Sequence, residues 1–310
     1  MLILDETAVR ELLQMQDLIP AMGRALATLS SGEAVQPMRV MVPVAEHGGF
    51  LGSMPGRAGS QLGAKLVTFF PNNQGIPTHH ALVLLFHPET GEPLAVMDGR
   101  LITEMRTAAV SAVATQLLAR ADSSILAILG SGVQAQSHLE ALGLVREFRE
   151  VRVWSPRNAE AFAQRFGVQL ARSPEDAVRG ADVVVVATTS SRPVLFGEWL
   201  APGAHINAVG APRPDWRELD DEVLRNAKLY VESREAASRE SGDVIAAGRI
   251  YAELGEVVNG AKEGRCSTDE RTLFKSVGVA VEDLASAELV YLAALAAQQS
   301  DAPDRAPRRR

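Results

Sequence analysis

Apolar residues first recur at helical spacing, over Thr7 to Leu13 and again over Leu18 to Leu29, where Gly32 closes the second segment as a helix end often does. The pattern then changes to strands. Runs at 38–44, 50–54, 62–70, 80–86 and 94–97 are β-rich and are separated by turn signals such as His47-Gly48-Gly49, Pro71-Asn72-Asn73-Gln74-Gly75 and Thr90-Gly91-Glu92-Pro93. Links this short predict antiparallel hairpins and a meander rather than crossovers. After Asp98-Gly99 the pattern becomes helical, with small residues at Thr107, Ala108, Ala109, Ser111, Ala112 and Ala114 that let this helix approach its neighbours closely. It is predicted to bridge two domains.

From Ser124 onward strands and helices alternate: Ile125–Leu129, a helix from Val133, Val151–Trp154, a helix from Ala159, then strands at Val183–Ala187, Ile206–Val209 and Leu229–Val231. That order predicts a parallel sheet covered by helices on both faces. Near the end, Val277, Val281, Leu284, Leu289, Leu292 and Leu295 recur at helical spacing and need a partner face. The fold class expected is therefore α/β: a Rossmann-type, doubly wound domain over 119–277 and an α+β domain over 1–118, which a helix over 278–299 joins. With no internal repeat and no Gly/Ser linker, the two are expected to pack directly.

Composition narrows the setting. The 310 residues are enough for two domains, and 46% hydrophobic with 22% charged residues is ordinary for a soluble globular chain. A net charge of −7 offers nucleic acid no basic surface. The lone Cys266 excludes an internal disulfide and a thiolate metal cluster, and fits a reducing compartment, most simply the cytoplasm. The start, Met1 to Leu13, meets Asp5 and Glu6 at once and lacks a signal-peptide pattern; no apolar run approaches the roughly 18 residues that cross a bilayer. No membrane or nucleic-acid partner is expected. Residues 300–310 mix Pro, Asp and Arg without periodicity and read as a disordered tail.

The sharpest motif follows the strand at Ile125–Leu129: Gly130-Ser131-Gly132-Val133-Gln134-Ala135, which is Gly-x-Gly-x-x-Ala opening a helix. Gly130 permits a tight turn, Gly132 lets backbone come close to a pyrophosphate, and Ala135 lets helix and strand pack. The helix start adds free N–H groups and a positive dipole end. A Gly-x-Gly alone would be only a turn; strand, turn, helix and next strand in order make this a dinucleotide site. Past the second strand, NAD-specific proteins carry an acid for the ribose 2′-hydroxyl. Here Trp154 is followed by Ser155-Pro156-Arg157-Asn158, a cation and hydrogen-bond donors that suit a 2′-phosphate. NADP(H) is the expected cofactor, with NAD(H) as the alternative.

Two cations stand in runs whose neighbours call for burial: Arg39 within Met38 to Val44, and Lys65 within Leu62 to Phe70. A buried cation needs a partner, which a carboxylate substrate could supply. The residues alone leave open a second reading, in which both point to solvent from a half-exposed sheet. Arg106 shares a helix face with Ala109, Val110 and Val113, where snorkelling at a domain edge is the alternative. His79 and His80 are adjacent on a strand, point to opposite faces and cannot share a metal; the other histidines show no ligand spacing, and no metal is expected.

At Lys65-Leu-Val-Thr, Met105 to Ala112, Gly130 to Ala135, Gly203-Ala-His-Ile-Asn-Ala-Val-Gly210 and Phe274 to Asp283, the chain resembles the ornithine cyclodeaminase and mu-crystallin family over nearly its whole length. It is most similar to the mu-crystallin branch across Arg213 to Asp221 and Glu240-Ser-Gly-Asp243. The resemblance implies a homodimer in which the N-terminal domain, joined by the C-terminal helix, forms the substrate and dimer region. It places Arg39, Lys65 and Arg106 around a substrate carboxylate and the nicotinamide, with Thr78 and Thr188 beside the cofactor. Cyclodeaminases carry an Asp two residues after the glycine that ends the fourth Rossmann strand, whereas this chain has Gly210-Ala211-Pro212 and proline cannot transfer a proton. Asp215 lies three residues on and is not assigned that role. The activity expected first is NADPH-dependent reduction of cyclic ketimine carboxylates. An ornithine cyclodeaminase or amino-acid dehydrogenase, and a non-catalytic NADPH-dependent binder of a small molecule such as a hormone, are the alternatives.

Overall fold

The computed structural model describes residues 1–300; apart from Ser300, which ends the last helix, the expected tail lies outside the described residues. The chain opens with β1 (Leu2–Leu4), α1 (Glu6–Leu12) and α2 (Met15–Ser30), followed by β2 (Ala34–Val35), β3 (Val40–Val44), β4 (Gly49–Ala58), β5 (Gln61–Phe69), β6 (His79–Phe86) and β7 (Pro93–Asp98). These strands make one sheet in the order β1-β7-β6-β5-β4-β2, with β3 also paired to β4. From β4 to β7 it is the antiparallel meander that the short links predict. The three-residue β1, too short to show a period, joins the far edge parallel to β7.

Next comes α3 (Gly99–Leu118), capped by the Asp98 side chain, which accepts from the N–H groups of Arg100 and Leu101. The second half contains β8 (Ile125–Leu129), α4 (Val133–Gly143), β9 (Glu150–Trp154), α5 (Ala159–Phe166), β10 (Gln169–Leu170), α6 (Pro174–Val178), β11 (Val183–Val186) and β12 (His205–Ala208). It continues through α7 (Asp221–Asn226), β13 (Ala227–Val231), α8 (Arg234–Glu240), α9 (Gly242–Ala247), β14 (Ala252–Glu253), α10 (Leu254–Val258), β15 (Arg271–Lys275) and α11 (Ala280–Ser300). Its eight strands are parallel in the order β10-β9-β8-β11-β12-β15-β13-β14. The unbroken Val183–Val186 run is fully buried, as a central strand covered on both faces must be.

Not expected from the hydrophobic pattern is β15, which lies inside the sheet between β12 and β13. Its apolar stretch is only Leu273-Phe274, between Thr272 and Lys275, so no run marks it out. The small residues of α3 have the expected consequence: it packs on α2 and β6 on one side and on α4 and β12 on the other. Asn207 donates to the Thr115 hydroxyl across that contact, at 2.9 Å. The final helix α11 returns to the first sheet, lying against β4, β5 and β6 and against α2 and α3. Among the described residues no helix is long and apolar enough to cross a membrane.

Candidate active site

Strand order reverses between β8 and β11, and the loops at the carboxyl ends of those strands open a crevice there, where doubly wound sheets bind ligands. Gly130 holds a φ of +126°, and a Cβ on it would meet the Ala187 carbonyl oxygen at 2.3 Å, so only glycine fits between the two strand ends. Gly132 caps α4 with no side-chain hydrogen bond, and a Cβ there would have no heavy atom within 4 Å. Backbone and the first N–H groups of α4, starting at Val133, are thus open to an incoming group. Ser131 and Ser155 both donate to the carbonyl of Arg157, at 2.8 and 2.7 Å, which ties the loop after β9 to the glycine turn. Asn158, at φ 61°, completes that loop. The Arg157 side chain has no ion-pair or hydrogen-bond partner among the described residues. An open helix start, a close glycine turn and a free cation beside it fit the pyrophosphate and 2′-phosphate of a dinucleotide.

Across the crevice stands Lys65 in β5. It is 2% exposed, and its Nζ lies 2.6 Å from Asp283 Oδ2 in α11. Burial pushes its pKa down to about 8, with Asp283 opposing that shift and Arg106 adding to it. Arg106, in α3, donates to Glu282 at 2.9 Å and to Asp283 at 3.2 Å. Burial works against its charge, but Asp283, Glu282 and Glu232 more than offset it. Glu282 is pushed well up, first by burial. Gly278, at φ +75°, lets the guanidinium of Arg106 come close, since a Cβ there would lie 2.5 Å from its Nη2.

Arg39 and Lys65 depart from the expectation in different ways. The run at 38–44 is not a buried strand: β3 is exposed, and Arg39 precedes it, half-buried. From there its Nη2 donates to the carbonyls of Val277, at 3.0 Å, and Gly278, at 2.7 Å, and lies 2.7 Å from Glu240 Oε2. Nη1 and Nε have no partner among the described residues. Lys65 is buried as expected, but its partner is Asp283, so a substrate is not needed to account for the charge.

These groups share one cavity of about 420 Å³. Arg39, Lys65, Arg106, Gln134 and Thr188 all line it, joining the first sheet to the crevice of the second. Gly130, Ser131, Gly132, Val133, Ser155, Arg157 and Asn158 form the turn and loop at the crevice and do not line the cavity itself. Nor does Thr78, which is exposed just before β6 with its carbonyl accepting from Phe70 at 2.8 Å. Thr188 is fixed from behind: its N–H and hydroxyl donate to Glu218 Oε1 at 2.9 and 2.5 Å. Burial pushes the Glu218 carboxyl up to about 7, against the nearby Lys275. Lys275 itself donates to the Gly210 carbonyl, pinning the turn into Ala211 and Pro212, which line the cavity. Asp215 is exposed and does not.

Further residues, not among the expected site residues, complete the lining. His79 faces the cavity, and burial pushes its pKa down to about 4, so it is a neutral imidazole. Phe50, Phe69 and Trp216 supply apolar wall, and Glu240 supplies a carboxylate. A usable signal existed for Glu282 and Asp283, two acids set among Val279, Ala280, Val281 and Leu284 at the start of an apolar helix. Glu240 ends the short polar helix α8, where periodicity does not single out one more acid.

Comparison with known proteins identifies the family. The sequence profile of the ornithine cyclodeaminase/mu-crystallin family matches residues 1–298. The chain belongs to that family. Among its members, the ketimine reductase mu-crystallin of Mus musculus is 54% identical over 286 residues, 88% of this chain and 91% of that protein. The structure of Thermococcus litoralis Delta(1)-pyrroline-2-carboxylate reductase in complex with NADH and L-proline superposes with a TM-score of 0.92 at 41% identity, covering 96% of this chain and 98% of that one. An archaeal alanine dehydrogenase dimer with bound NAD gives 0.91 at 37%, over 96% and 97%. The Rossmann-type fold expected from the strand order is that of these family members.

Proposed function

We propose that this protein is an NAD(P)H-dependent oxidoreductase that reduces cyclic ketimine carboxylates of the pyrroline- or piperideine-2-carboxylate type. The observation that carries the reading is the single cavity in which Lys65, Arg106 and Arg39 face the dinucleotide crevice. A bound reduced nicotinamide supplies a hydride to the C=N carbon. Residues 119–277 hold that cofactor through Gly130, Ser131, Gly132, Val133 and Gln134. Ser155, Arg157 and Asn158 favour NADPH, and Thr78, Arg106 and Thr188 lie toward the nicotinamide end. Residues 1–118 with α11 hold the substrate. The free Nη1 and Nε of Arg39 and the Nη2 of Arg106 receive its carboxylate. Lys65 supplies the proton that keeps the imine cationic, since an iminium accepts hydride far more readily than a neutral imine. A non-catalytic binder is the reading that turnover decides. Pyrroline-2-carboxylate, ornithine and alanine are assayed side by side with NADPH and NADP+; reduction of the imine alone is expected. Tight NADPH binding with no turnover of any of the three would replace the enzyme by the binder.

The same chain is proposed to act as a homodimer in the cytoplasm, where the unpaired Cys266 stays reduced. Register puts Val42 opposite Leu51, and Leu66 opposite Leu82, on the sheet face away from Lys65. With Val40 these residues are 37% to 62% exposed, an apolar face that a second copy would cover. The unmodified protein is expected to run at twice the chain mass by light scattering, and the Val42→Glu, Leu66→Glu double variant at the monomer mass. A monomeric parent would remove the proposal.

A further inference from the structure

The cavity presents a charge problem that the reading above does not solve. Its inner end holds Lys65, Arg106 and Arg39, which together suit a carboxylate. A ring nitrogen that is protonated, as an iminium before reduction or an amine after it, brings a further positive charge into the same field. The acids that pair with Lys65 and Arg106 lie behind them in α11 and do not line the cavity. The loop after β12 lines the wall with Ala211 and Pro212 and brings no acid to it. Asp215 points elsewhere, being exposed and off the cavity wall.

Glu240 is the acid that lines the cavity. It stands at the end of α8, its side chain 14% exposed, with Oε2 2.7 Å from Arg39 Nη2. Resting on the reading of the site as one for cyclic imines, we propose that Glu240 is the counterion of the substrate's ring nitrogen. It faces the cationic C=N–H+ group while Arg39, bridged to it, takes the carboxylate of the same molecule. The pairing of one cation and one anion on neighbouring positions of the wall matches a substrate that carries the opposite charges on neighbouring groups. The carboxylate comes from α8 and not from the loop after β12.

The energetics of the pair agree. Burial raises the Glu240 carboxyl, and Glu232 raises it further, while Arg39 opposes both. An acid that is only partly compensated gains from a second cation. Arg239 on its own helix is paired to Glu235 at 3.3 Å and Arg213 lies over the Trp216 ring, with its guanidinium carbon 5.0 Å from the ring centre. Lys65 is committed to Asp283. The cation nearest to Glu240 among these is therefore Arg39, whose Nη2 it shares with two backbone carbonyls. During hydride transfer the C=N π pair becomes the nitrogen lone pair and the ring loses its positive charge; the neutral amine then regains it by taking a proton from solvent. Glu240 holds the nitrogen in place through both charged states without itself passing a proton.

The test compares two ligands on the protein saturated with NADP+. L-Proline carries a cationic ring nitrogen; pyrrole-2-carboxylate carries the same carboxylate on a ring whose nitrogen is uncharged. In Glu240→Gln, proline affinity by calorimetry is expected to fall at least about tenfold, the scale of one lost charge contact in a half-shielded site. Pyrrole-2-carboxylate affinity is expected to hold or improve, because Arg39 is freed of a competing anion. Glu240→Ala carries the same comparison if the glutamine variant folds poorly, and the ratio of the two affinities cancels any general loss of binding. Equal weakening of both ligands would make Glu240 a prop for Arg39 and overturn the proposal, as would an unchanged ratio. A parent protein that binds neither ligand overturns the reading of the site and this inference with it.

Discussion

Replacing Lys65 with Met is expected to leave the fold, the dimer and NADPH binding in place and to cut imine reduction by about 100- to 10,000-fold, the usual worth of a positioned proton donor. Met keeps the length and the apolar stem in β5, so the packing against α11 changes little. Asp283 does not become an orphan charge, because Arg106 still donates to it at 3.2 Å. That second partner separates loss of chemistry from loss of structure, since a buried carboxylate stripped of every cation would destabilise the protein by itself. A fall of less than tenfold would remove Lys65 from the role of proton donor. Lost folding would instead make it part of the sheet's own electrostatics. The pH profile gives a further check. Burial lowers the amine from its ordinary range to about 8, so the protonated, active form is present below that pH and is lost as pH rises through it. The parent's kcat/KM should fall through about pH 8, beyond any limb set by the free imine's own titration, and the variant's residual rate should lack that limb.

The strand order, the glycine turn and the placing of Lys65 on an apolar strand were readable because each leaves a local pattern. Burial periodicity marks the strands, a steric need marks Gly130, and a cation among Leu62, Val67 and Phe69 marks Lys65. What the sequence did not show were facts made by tertiary contact. β15 has too short an apolar stretch to read as a strand, yet it lies inside the parallel sheet because β12 and β13 flank it. β3 has the composition of a buried strand and is exposed, since apolar residues can also stand at the surface. That misreading carried Arg39 with it: its charge is met by Glu240 and two carbonyls from residues more than two hundred positions away, not by burial within its own run. Lys65 and Asp283 illustrate the same limit, because an ion pair between β5 and α11 has no spacing to detect.

The proposed preference for NADPH rests on one side chain, Arg157. Arg157→Asp is expected to reverse it, moving the ratio of NADPH to NADH affinity by about a hundredfold or more. A charge-assisted hydrogen bond to a phosphate contributes about 1.5–3 kcal/mol, roughly ten- to a hundredfold in affinity, and a carboxylate in its place repels the phosphate while accepting from a ribose 2′-hydroxyl. The loop should survive the change. Ser131 and Ser155 hold it through the backbone carbonyl of Arg157, which any side chain leaves in position. The guanidinium has no protein partner to lose among the described residues, so its removal leaves no acid unpaired there. Fluorescence titration of both reduced cofactors against parent and variant reads the four affinities. A parent that binds NADH as tightly as NADPH would show that the absent acid after Trp154 decides nothing. A variant that loses both cofactors alike would place Arg157 on the pyrophosphate instead of the 2′-position.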